Sequence, residues 1–166
     1  AYVLRSIHRR CNYNREMVEA AYLLILNELA DREAGVLAAP EHLDDAGVYY
    51  TDLYERSGMA DVVVLPYITE ATVNGYSTKH LQKLRDIIGT MLCHKPFEVV
   101  TIHDEFKCHA NNINHLRQHY INIFCEMADA TILDMIFTEI MGADVKYKKL
   151  SSDLSKYIAG SNYALC

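Results

Sequence analysis

The sequence predicts an α+β domain in which a small antiparallel hairpin is buttressed by several helices. Two observations carry this. Long stretches repeat apolar residues at the 3, 4 rhythm of amphipathic helices. Against them stands one β-branched run, Val99, Val100, Thr101 and Ile102, that ends abruptly on His103, Asp104 and Glu105. The 166 residues are 51% hydrophobic and 23% charged, enough for one domain with a real core.

The elements follow in order. Residues 2–11 (YVLRSIHRRC) read as a short helix or the end of one. Arg5, His8, Arg9, Arg10 and Arg15 fall close together there and read as a solvated helix face. Asn14 is placed to cap a long helix from Arg15 to about Arg32, with Val18, Ala21, Tyr22, Ile25, Leu26 and Leu29 inward and Gly35 closing it. Residues 37–58 read as connecting structure with one short helix around Tyr50 to Arg56, and Ala60 to Leu65 (ADVVVL), stopped by Pro66, as a strand. Ser77 is expected to cap a helix from Thr78 to Lys95, its inner side formed by His80, Leu81, Leu84, Ile87, Ile88, Met91 and Leu92, with Pro96 ending it. Phe97 to Ile102 is the strand that carries the acids, and Phe106 to Ala110 its hairpin partner. Asn111 or Asn112 caps a helix from Ile113 to about Met127; a further apolar helix runs from Ala130 to Met141 and stops at Gly142. A helical turn over Ser152 to Ile158 precedes the tail GSNYALC.

Composition narrows the function classes. A net charge of -6 argues against a broad nucleic-acid surface on this chain alone. No apolar run approaches the roughly 18 to 20 residues that span a bilayer, and no cleavable signal pattern opens the chain. Five cysteines without a CxxC pair read as reduced thiols. Together these point to the cytoplasm. The first residue is Ala, not Met, as expected of a processed chain or one cut from something longer.

Of the possible sites, the hairpin tip is the strongest. Consecutive strand residues point to opposite sides, so Asp104 and Glu105 cannot both face one metal. Asp104 is the better ligand for a hard cation such as magnesium; the plain alternative is an Asx turn between two strands. His115 and His119 have the i, i+4 spacing of a zincin pair, but Leu116 stands where the glutamate is required. Cys93, His94, Cys108 and His109 lack the chelate spacing of a zinc site. No phosphate-cradling glycine loop and no nucleophile elbow are present.

The stretch IHDEFKCHANNINHLRQHYINIF resembles motif C of the phage-type single-subunit RNA polymerases, in which a palm hairpin carries a His-Asp pair followed by an aromatic, a small residue and a long helix. Here those are His103, Asp104, Phe106, Ala110 and the helix from Ile113. ATVNGYSTKHLQKL is similar to the family's segment before the palm helix, through Val73, His80 and Leu81. The end of the chain is similar to the family's terminal turn and aromatic foot: Asp153, Leu154 and Ile158, then Ser161, Tyr163 and Cys166.

The resemblance covers residues 60–166 and implies a palm portion of a right-hand polymerase fold there, with a helical segment of uncertain assignment over residues 1–59. It implies a DNA-directed RNA polymerase, a nucleotidyltransferase acting in transcription in a bacterial host's cytoplasm, using Mg2+, DNA template, nascent RNA and nucleoside triphosphates. Asp104 would be the metal ligand and His103 its catalytic neighbour. Asn74 and His80 would lie near the nucleotide, and the foot Tyr163 to Cys166 would buttress the site. The sequence departs from the family where Asn74 replaces its upstream histidine and Ser77 its aspartate. Glu105 makes the triplet His-Asp-Glu of family A DNA polymerases, which keeps that related palm as an alternative.

Two-metal nucleotidyl transfer needs a second carboxylate from another strand, and neither it nor a fingers helix is found in this chain. The resemblance therefore implies a second polymerase chain, as in a divided two-chain enzyme. The alternative of another class is a non-catalytic interaction subunit. A helical HD-type phosphohydrolase is disfavoured by the β-branched run before His103.

Overall fold

Asn14 sets the start of the longest helix. Its side chain accepts the Met17 N–H at 3.0 Å, and helix α2 runs Arg15–Glu33, ending before Gly35 at φ +78°. The computed structural model describes residues 1–36 and 43–161. Around α2 stand α1 (Tyr2–Cys11), α3 (Asp45–Ser57), α4 (Thr78–Leu92), α5 (Ile113–Asp129), α6 (Ile132–Met141) and α7 (Leu154–Gly160). Strands β1 (Val100–Ile102) and β2 (Glu105–Lys107) pair antiparallel. The described residues are thus mostly helical, with one small hairpin.

Two apolar clusters result. The larger joins α2 and α4 with residues 60–76, through Val18, Ile25, Leu65, Leu81, Leu84 and Ile88. The smaller joins α1, the approach to β1 and α5, through Ile7, Cys11, Phe97, Val99, Leu116 and Ile123. Residues before 60 therefore contribute to both clusters.

Three sequence expectations are corrected. Ala60 to Leu65 is not a strand: residues Val62–Tyr67 form a 3-10 helix, started by the Asp61 carboxylate accepting the Val63 N–H at 3.0 Å. β-branched residues favour strands only where a neighbouring strand exists, and here a single turn buries Val62, Val64 and Leu65 instead. The cationic run on α1 is not a solvated face, because Arg10 is 1% exposed and Arg9 pairs with Asp61 at 2.6 Å.

Helix α4 stops at Leu92, three residues before Lys95. The Tyr13 hydroxyl sits 2.7 Å from the carbonyl oxygens of both Met91 and His94, so its single proton serves one released backbone acceptor at a time. Asn112 is the N-cap residue of α5, as expected, but it caps without a side-chain hydrogen bond. The chain enters α5 from a 3-10 turn, Ala110–Asn112, whose Asn111 N–H reaches His109 Nδ1 at 3.4 Å.

Candidate functional site

The hairpin register pairs Val100 with Lys107, Thr101 with Phe106 and Ile102 with Glu105, which leaves His103 and Asp104 as a two-residue loop. A two-residue loop needs positive φ at one or both central positions. His103 meets that demand at φ 56°, in the left-handed region that glycine tolerates best. Asp104 is exposed at the tip. Glu105, the first residue of β2, lies 3.0 Å from Lys107 Nζ of the same strand, whereas Asp104 belongs to the loop.

The hairpin has an inner and an outer face. Val99, Thr101, Phe106 and Cys108 are buried or half-buried, whereas Val100 and Ile102 are exposed. The acid-bearing strand is thus buried on one side only, and is shorter than the run Phe97 to Ile102. Phe106 packs on Tyr120 of α5 with ring centroids 5.6 Å apart, and Tyr120 on Phe124 at 5.0 Å. Burial raises the Tyr120 phenol, and the negative charge of nearby Asp104 raises it further. Behind the hairpin, the Phe97 N–H donates to Cys11 O at 2.8 Å.

Magnesium, the cation the resemblance implies, is usually held by one or two carboxylates with substrate phosphates and water completing the shell. An exposed Asp104 carboxylate with Glu105 diverted to Lys107 fits one ligand of such a site. Among the described residues no group of three or more His, Cys, Asp or Glu is arranged to hold a metal ion.

The remaining sequence-derived positions are dispersed. His80 is 1% exposed, stacked on Tyr54 at 4.1 Å and edge-on to Tyr76, and burial pulls its imidazole down to about 4. In this structure it is closed to solvent. Asn74 lies in the 3-10 turn Val73–Gly75, and its carbonyl accepts from Arg32 Nη2 at 3.0 Å. The foot residues Tyr163 and Cys166 lie outside the described residues.

Sequence reasoning missed two constellations. The first is a buried imidazole pair: His94, just beyond α4, and His119 of α5 approach with their Nε2 atoms 2.7 Å apart, with His115 beside them. His94 Nδ1 lies 2.8 Å from Lys95 O and must donate to it. His94 Nε2 then accepts the His119 Nε2–H, which leaves the buried His119 Nδ1 without a partner. Burial, reinforced by His94, brings His119 down to about 3, and burial also lowers His94. Two neutral imidazoles sharing one proton between them make a structural tie. The zincin spacing of His115 and His119 had drawn attention to one partner, but nothing in the sequence marks His94 as the other.

The second is Arg10, whose guanidinium grips Glu126 of α5 with both arms, at 2.8 and 2.6 Å. Burial opposes its charge, and Glu126 more than offsets that. The far side of Glu126 lines a groove of about 240 Å³ between α4 and α5, with Lys83, Asp86, Asn122 and Asp129. A helix-wheel reading of α1 places Arg10 beside Ile7 and could have found it.

No protein-family model matches the chain, and no curated protein matches it significantly.

Proposed function

We propose that this chain is the palm portion of a phage-type, DNA-dependent RNA polymerase, contributing one metal-binding aspartate to nucleotidyl transfer. The observation that carries the reading is the ordered set of residues around the hairpin: His103 and Asp104 in its two-residue loop, Phe106 facing inward, and a 17-residue helix after it. That is the arrangement the motif C resemblance calls for.

In this reading Asp104 holds the cation from an exposed loop whose direction is fixed by the left-handed backbone of His103. Asp104 would hold one Mg2+ there, which with a second ion would supply activation of the attacking 3′ hydroxyl and charge stabilisation of the in-line displacement. His103, next to Asp104 and exposed, orients the carboxylate or meets the nucleotide end. The second carboxylate, the fingers and most of the template groove come from another polypeptide. The terminal turn and foot residues, which resemble those of the RNA enzyme, favour it over the family A DNA polymerase reading that the triplet His103, Asp104 and Glu105 otherwise suggests.

Asp104→Ala in the complete assembly is expected to abolish Mg2+-dependent nucleotide addition and to leave assembly intact. Elongation at a near-normal rate would refute the reading. The second reading, a non-catalytic interaction subunit, draws on Asn74 standing where the family has its histidine and on the second carboxylate not being found in this sequence; it is the outcome if the assembly is active with Asp104 replaced.

A further inference from the structure

The chain leaving α4 carries an imidazole that is held in place before it meets α5. The backbone of His94 is gripped from two sides, its carbonyl lying 2.7 Å from the Tyr13 hydroxyl and 3.2 Å from Arg15 Nη1. Its ring is held as well, because Nδ1 donates to Lys95 O at 2.8 Å. That bond sets the tautomer: Nδ1 carries the proton, and Nε2 presents a lone pair to His119 Nε2, 2.7 Å away. The other nitrogen of His119, Nδ1, is buried and has no hydrogen-bond partner. His115, one turn earlier on α5, lies beside the His94 ring at a centroid distance of 4.9 Å and is half-buried.

An imidazole that ligates a metal ion gives its other ring N–H to a carboxylate, a backbone carbonyl or water, which fixes the tautomer and aims the free nitrogen. His94 is held in this way. His119 can match it without breaking a bond, since its proton can move from Nε2 to the unengaged Nδ1. Two lone pairs then face each other across a gap that only a cation can fill. The separation also says which cation. Two nitrogens each about 2.0 Å from one ion stand about 2.8 Å apart at a right angle and about 3.3 Å apart at the tetrahedral angle. The 2.7 Å between the Nε2 atoms is the right-angle bite, the one that tetragonal copper(II) and nickel(II) prefer.

We infer that His94 and His119 form a binding site for a divalent transition-metal ion of the nickel or copper kind, held at cis positions by their two Nε2 atoms. No third side chain of the His, Cys, Asp or Glu type converges on the pair among the described residues, so water, reaching the cluster past half-buried His115, completes the shell. The ion takes the place of the shared proton as the link between the end of α4 and α5, and that proton stays on the protein at His119 Nδ1. Neutral nitrogen donors do not suit magnesium, which takes oxygen ligands. The site therefore stands or falls independently of the role proposed for Asp104.

The test is calorimetric titration of the chain with Ni2+ at neutral pH, for wild type, His94→Gln, His119→Gln and Cys93→Ser. His119→Gln removes the ligand but keeps a donor for His94 Nε2, so it is expected to retain the wild-type circular dichroism. Expected is one tight Ni2+ per chain in wild type and in Cys93→Ser. Both histidine variants should bind roughly 100-fold more weakly, because a direct ligand matters no less than the outer-shell partners whose loss costs about 10- to 100-fold. A second readout needs no variant: paramagnetic Ni2+ should broaden the imidazole resonances of His94 and His119 in wild-type NMR spectra, and Mg2+ should not displace it. Unchanged affinity in either histidine variant overturns the site. So does broadening confined to other histidines, or no binding by wild type at millimolar Ni2+. Loss of binding in Cys93→Ser alone would put the ion on that exposed thiol and overturns it as well.

Discussion

Acid should unfold this protein earlier than its carboxylates alone would require, because buried histidines hold it at neutral pH. His80 and His119 are each 1% exposed, with imidazoles brought by burial to about 4 and about 3 from an ordinary 6.5. A folded-state pKa below the unfolded one means that the unfolded chain binds more protons as pH falls. The stability these groups contribute is present above 6.5 and is lost on the way down toward 3. Between pH 7 and 5 each such histidine removes about 2 kcal/mol, so the pair removes about 4 kcal/mol, and His94, lowered by burial, adds in the same direction. Against a total stability of about 5 to 15 kcal/mol this is a large share, and it lowers Tm by about 10 °C in a chain of this size. Urea unfolding at pH 7, 6 and 5 measures it. The control is His119→Gln, whose side-chain amide can still donate to His94 Nε2; its loss between pH 7 and 5 should be smaller than wild type by about 2 kcal/mol. Equal stability of wild type at pH 7 and 5, or an unchanged pH dependence in His119→Gln, would refute the reasoning.

Other outcomes follow from particular contacts. Glu126→Ala strands the buried Arg10 guanidinium and should cost about 3 to 5 kcal/mol, most of it recovered in Arg10→Met/Glu126→Leu, where no charge is left unpaired; urea midpoints of the single and double variants decide this. His103→Val forces a β-branched residue to φ 56° and should destabilise by about 1 to 3 kcal/mol, while His103→Gly should not; a Gly variant as unstable as Val would show that the loop does not need the left-handed backbone. Cys11 is buried, its thiol pushed up to about 12 by burial and by nearby Cys108, so the native protein should leave it unmodified under maleimide conditions that label exposed Cys93, as peptide mass spectrometry would read.

The helices were legible because their signals are local. Asn14 and Ser77 cap as their side chains allow, Gly35 and Gly142 end their helices in the left-handed region, and the 3, 4 spacing of Val18, Ala21, Ile25 and Leu29 does face a core. The hairpin was legible too, since a β-branched run that breaks into His-Asp needs a turn there. What failed depended on the rest of the molecule. Val62 to Leu65 has strand composition but no strand beside it, so an aspartate cap turned it into a 3-10 helix. Arg10 looks like its exposed neighbours until Glu126, 116 residues away, reaches it. The meeting of His94 with His119 likewise exists only once α4 and α5 are set side by side. Periodicity identified the apolar stripe of α6, but periodicity says which residues share a face and not whether anything covers it.

The position of Asp104 is fixed less by its hairpin than by what the hairpin is tied to. Strands of three residues with an exposed outer face are too short to hold a loop by themselves. The inner face supplies Phe106 to Tyr120 on α5, the approach to β1 is pinned to α1 by the Phe97–Cys11 backbone bond, and the His94–His119 contact ties the chain leaving α4 to the same α5. Helices α1 and α5 are in turn locked together by Arg10 and Glu126. On the proposed function the Asp104 carboxylate must be placed to within about 0.5 Å to serve a metal, and that placement depends on buried polar ties distant from it in sequence. In that reading Glu126→Ala should displace Asp104 without altering it, so a loss of Mg2+-dependent nucleotide addition there would be positional, and Arg10→Met/Glu126→Leu, which leaves no stranded charge, should restore it.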